Sequence, residues 1–187
     1  MKDFLQLDGL VYKLVPIKTP VNQENPYQMG RIERDRMYNI IKKWEWGNSE
    51  SPDIYHDPET RKNSISFRGN LHRLANEFID NGEFEKANEI MDLSFEKMPI
   101  DFFEYYSLSE PYILSYYKIG EDKKAQNLYK TIEAKYLDQI KYYSISMREY
   151  EDMFELSEFA ENIFTYTERY RGCLLYTSPS PRDRVLS

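Results

Sequence analysis

The chain reads as a mainly α protein, built of tetratricopeptide-like helical hairpins behind a small N-terminal β-hairpin. Three observations carry this. Residues 71–99, LHRLANEFIDNGEFEKANEIMDLSFEKMP, hold a complete helix-turn-helix pattern, with Leu71, Leu74, Ala75, Phe78, Ala87, Met91 and Pro99 at the positions such a repeat requires. Residues 108–136 repeat the pattern in weaker form. The first fifteen residues alternate about an Asp-Gly pair, which is a hairpin signal.

The first repeat has a physical logic. Two antiparallel helices approach to about 8–10 Å only where the side chains at the crossing are short, and Ala75 and Ala87 supply that. Asn81-Gly82 provides the turn, because glycine takes the positive φ that ends a helix. In the second copy Tyr112, Tyr116, Gly120, Ala125, Tyr129 and Ile132 fall where Leu74, Phe78, Gly82, Ala87, Met91 and Ser94 fell. The offset is 38 residues rather than the usual 34, so the connection over residues 99–107 absorbs the excess. A further helix over residues 150–170, with Met153, Phe154, Ser157, Ala160, Phe164 and Thr167 on one face, would cap the array.

Ahead of the repeats, Asp8-Gly9 is expected at the centre of a tight turn between two strands. Pro16, Pro20 and Pro26 break the connection that follows. A helix over residues 31–46 carries Met37, Ile40, Ile41 and Trp44 at i, i+3, i+4 and i+7, and Gly47-Asn48 stops it. Residues 49–62 form a polar loop, with Asp53, Ile54 and Tyr55 as a short strand against the hairpin and Asp57-Pro58 as a turn. The domain plan is a hairpin and loop over residues 1–30, a helix and polar loop over 31–65, and helical repeats with a cap over 66–172.

Composition narrows the function. The formal charge of −7 argues against a nucleic-acid surface, which requires a basic stripe. No run approaches the roughly 18–20 apolar residues that cross a bilayer. Residues 173–183, CLLYTSPSPRD, resemble the translation of a transposase sequencing adapter, so residues 173–187 are expected to be foreign and the natural C-terminus to be missing. Setting that segment aside leaves 23 basic and 31 acidic residues and a charge of −8. It also removes Cys173, the only cysteine, and with it any disulfide, thiol nucleophile or zinc-thiolate site.

Catalytic patterns are absent from the residues themselves. There is no phosphate-cradling glycine loop, and the two histidines, His56 and His72, complete neither a zinc pair nor a Ser/His/Asp set. His56, Asp57 and Glu59 lie together but lack a fourth ligand, so turn chemistry explains them better than a metal. No cofactor or metal is expected, and the chain is not expected to be an enzyme. A protein or peptide partner is. Repeats of this type bind partners on the face lined by the first helix of each pair, which here shows His72, Asn76 and Asp80, then Glu110, Leu114, Tyr117 and Lys118. Trp44 and Trp46 read as core anchors rather than as a platform for stacking sugars.

The segments LDGLVYKLVP (residues 7–16), WEWGN (44–48), YHDPETRKN (55–63) and FRGNLHRLA (67–75), followed by the repeat, resemble in matching order the C-terminal soluble region of a bacterial multi-spanning membrane family. That family was long catalogued as a domain of unknown function and is related to the GT-C protein O-mannosyltransferases. The resemblance implies membrane helices ahead of this region that carry the lipid-linked sugar site and the acidic catalytic residues. It also implies a periplasmic location for the soluble part. No catalytic residue carries over, because no position here matches one. The alternative is a free-standing cytoplasmic tetratricopeptide adaptor that binds a peptide or protein partner.

Overall fold

The computed structural model describes residues 2–19 and 29–146. The cap expected over residues 150–170 and the foreign segment 173–187 lie outside the described residues. The fold is mainly α with a small N-terminal sheet, as the sequence predicts. It divides into two compact units, Met1–Gly120 and Glu121–Ser187.

In the first unit, β1 (Leu5–Asp8) pairs antiparallel with β2 (Val11–Leu14), from Leu5 opposite Leu14 to Asp8 opposite Val11. The turn is therefore Gly9-Leu10, one residue later than expected. Asp8 belongs to the strand because its carboxylate is held there. It takes Lys13 at 2.8 Å, Arg36 at 2.9 Å and the Gln6 amide at 2.8 Å, with 7% of the side chain exposed. Gly9 has φ +71°, which places glycine at the first central position of the two-residue turn.

The third strand is not residues 53–55. It is β3 (Arg31–Ile32), parallel to β1, in the sheet order β2-β1-β3. β3 already occupies the second edge of β1, and Ile54 and Tyr55 are 38% and 81% exposed, so residues 53–55 bury no face. The helix expected from residue 31 accordingly starts later. α1 (Arg34–Ile41) is capped by Glu33, whose side chain accepts from the Arg36 backbone N–H. It buries Met37 and Ile41 and ends before the tryptophans, which sit in an irregular segment between turns. Trp44 packs there on the hairpin turn, where a Cβ on Gly9 would come within 2.8 Å of its Cζ2.

The polar loop is shorter than expected, because α2 (Pro58–Asp80) begins within it. Asp57 is an N-cap rather than half of a turn. Its Oδ1 accepts from the Glu59 N–H at 2.9 Å and the Thr60 N–H at 3.1 Å, and Pro58 takes the first helical position, where no N–H is needed. α2 turns back at Gly82 (φ +75°) into α3 (Phe84–Lys97). Leu71, Leu74, Ala75, Phe78, Ala87 and Met91 are all fully buried, and each large one contributes roughly 1.5–3 kcal/mol by leaving water.

The connection over residues 99–107, expected to be irregular, contains the one-turn helix α4 (Ile100–Phe103) and leads into a 3-10 turn, Tyr106–Leu108. α5 (Glu110–Lys118) follows and packs on α2 through Tyr112 and Ser115. Asn70 and Arg73 of α2 fasten the N-terminal region, donating to the Gly9, Met29 and Gly30 carbonyls at 2.9–3.0 Å. In the second unit α6 (Asp122–Ser146) buries Ala125, Leu128, Tyr129, Ile132 and Tyr136, a single helical stripe. It extends ten residues past the expected end at residue 136.

Candidate functional site

The structure divides the seven predicted face residues. His72 and Asn76 lie in the joint between α2 and α5, tied together through Ser115. The Ser115 hydroxyl donates to Asn76 Oδ1 at 3.0 Å and shares a hydrogen bond of 3.0 Å with His72 Nε2. The His72 ring packs 4.7 Å from the Tyr112 ring. Burial lowers the His72 pKa to about 4; the nearby Lys118 charge adds to this and the Pro111 carbonyl opposes it. The imidazole is thus neutral near pH 7, a structural pin between two helices. Glu110, Leu114 and Lys118 fall at i, i+4 and i+8 along α5, with Leu114 39% exposed; Tyr117 is half-buried, and Asp80 is exposed at the end of α2.

Beneath this joint lies a charge that periodicity does not announce. Arg68 is 1% exposed, and among the described residues it meets neutral acceptors only. It donates to the Met98 carbonyl at 2.5 Å and the Ser109 hydroxyl at 3.0 Å, with the guanidinium 4.9 Å from the Phe95 ring centre. Desolvation lowers its pKa, as burial does for any cation. Tyr112 donates to the Arg68 carbonyl at 2.7 Å, and burial pushes its hydroxyl up to about 12.

A concave feature of the first unit lies elsewhere. A cavity of about 340 Å³ opens between the hairpin turn, the segment carrying the tryptophans, the first turns of α2 and the end of α3. Its walls are aromatic. Trp44, Trp46 and Phe67 pack at centroid distances of 5.3–5.5 Å with interplanar angles of 50–75°, and Phe103 closes the far side. Trp44 and Trp46 are half-buried, so they anchor the packing and also line the opening. His56 is held there by its Nε2 hydrogen bond to the Ser49 carbonyl at 3.0 Å and by the Phe103 ring 4.6 Å away. The polar rim includes Glu45 and Asn63, both exposed.

Among the described residues, no group of three or more His, Cys, Asp or Glu is placed to hold a metal ion. No helix among them is long and apolar enough to cross a membrane. Sequence reasoning missed Phe67, Phe103, Glu45 and Asn63 because the cavity joins residues as far apart as Leu10 and Phe103. The one local hint was the pair of tryptophans two residues apart, Trp44 and Trp46. No protein-family model matches the chain, and neither a curated protein nor a solved structure is similar to it.

Proposed function

We propose that this chain is a helical recognition domain that engages a protein partner at the aromatic cavity. The observation that carries the proposal is the cavity itself: about 340 Å³, walled by four aromatic rings and rimmed by Glu45 and Asn63. Sites that bind side chains and small ligands have this make-up, apolar walls with a few placed polar groups. The parent protein is a membrane glycosyltransferase-like protein related to the O-mannosyltransferases. The domain lies on its periplasmic side and holds the acceptor protein or a partner subunit near the membrane-embedded site. The ordered likeness of residues 7–16, 44–48, 55–63 and 67–75 supports this context. All four of those segments contribute cavity residues: Leu10, the two tryptophans, His56 and Phe67 among them.

The test of context is to read the same DNA frame upstream of the Met1 codon. An open frame with several apolar segments of about twenty residues is expected. An immediate stop codon would leave the free-standing adaptor. The test of role is sugar transfer by the membrane-bearing protein with this domain deleted. Transfer to protein acceptors should fall, and undiminished transfer would remove the acceptor-holding role.

A further inference from the structure

We infer that the aromatic cavity takes the alkyl-cation side chain of a lysine or arginine presented by the partner, an assignment that rests on the recognition role proposed above. Two independent features select a cation. The first is ring chemistry: the faces of indole and phenyl rings carry negative potential, and Trp44, Trp46 and Phe67 form a corner of steeply inclined rings beside Phe103. The second is charge. Glu45 is the one carboxylate lining the cavity, no lysine or arginine lines it, and Glu45 makes no ion pair or hydrogen bond among the described residues. Arg61, Lys62 and Lys97 are engaged by Glu104, Glu59 and Glu50. The charge lining the cavity is negative, in a chain of net charge −7 that draws basic partners toward it. A lysine or arginine suits such a site at both ends. Its methylene stem packs on Phe67 and Phe103 while its charged head meets the indole faces and Glu45. Neither indole N–H has a protein acceptor among the described residues, so both remain available to a partner carbonyl.

The test uses the full chain and the fluorescence of Trp44 and Trp46, its only tryptophans. The probes are Nα-acetyl-lysine methylamide, its trimethylammonium derivative, the neutral tert-butyl isostere of that derivative, and glucose. Both cations should give a saturable change that weakens with added salt, and the neutral isostere should bind about tenfold more weakly or worse. Glu45→Gln, at an exposed position, should weaken the cations by about two- to fivefold and leave the neutral isostere and the melting curve unchanged. Equal binding of the isostere would overturn the cationic assignment and leave an apolar anchor, with partner recognition intact. Saturation by glucose alone, or by none of the probes, would overturn both.

Discussion

Asp8 and His72 both titrate below their ordinary values, for different reasons, and each sets a pH window for stability. Burial alone would raise the Asp8 carboxyl, but hydrogen bonds from Lys13, Gln6 and Arg36, with the charge of Lys13, outweigh it and hold the pKa below the usual carboxylate range. A carboxylate with a lowered folded pKa contributes stability that is present above its unfolded pKa of about 3.9 and lost as pH falls through the folded value. His72 differs. Its folded pKa of about 4 lies below the ordinary histidine value of 6.5, so the unfolded chain binds the extra proton. Stability therefore declines as pH falls from about 6.5 toward 4, by at most about 3 kcal/mol and less for a half-buried ring. In urea unfolding at stepped pH, His72→Gln should remove the slope in that window, and Asp8→Asn should flatten the fall below it. Arg68 adds a comparison of a different kind. Arg68→Ala opens a void against Phe95 and leaves the Met98 carbonyl unpaired, costing about 3–5 kcal/mol. Arg68→Met fills the same space without a buried charge and should cost clearly less in the same assay.

The elements that were legible in sequence are those whose partners lie close in the chain. The α2–α3 hairpin was found residue by residue, because Leu74, Phe78, Ala87 and Met91 bury on a helical period and Gly82 marks the turn. The start of α2 was misplaced because Asp-Pro serves both as a turn and as an N-cap followed by the first helical position. Only the Glu59 and Thr60 N–H bonds to Asp57 separate the two. Asp57→Ala should lower the melting temperature, whereas Asp57→Asn, which still caps, should preserve it. The turn of the β-hairpin was off by one because the ion pairs of the buried Asp8 carboxylate fix the register, and no local propensity encodes them. Strand β3, two residues long, has no periodicity to read. Gly9 joins element to element: alanine there would hold φ +71° and meet Trp44 at 2.8 Å. Gly9→Ala should cost about 1–3 kcal/mol and shift tryptophan emission, as measured by fluorescence-detected unfolding.

At the scale of the whole molecule, the proposed binding surface lies away from where a repeat array would put it. The sequence places the partner on the first helices of two pairs, yet His72 and Asn76 join α2 to α5 through Ser115. The cavity draws on the hairpin turn, the tryptophan segment, α2 and the residues after α3, contributions that no single window of sequence contains. The most direct test is steady-state sugar transfer by the proposed membrane-bearing parent carrying Trp46→Ala or Leu114→Ala, each checked for an unchanged melting curve. Trp46→Ala should raise KM for the acceptor protein several-fold at constant kcat, while Leu114→Ala, on the exposed α5 strip, leaves both constants as they were. An unchanged KM in the Trp46 variant with a raised KM in the Leu114 variant would return recognition to the helical face and contradict the cavity.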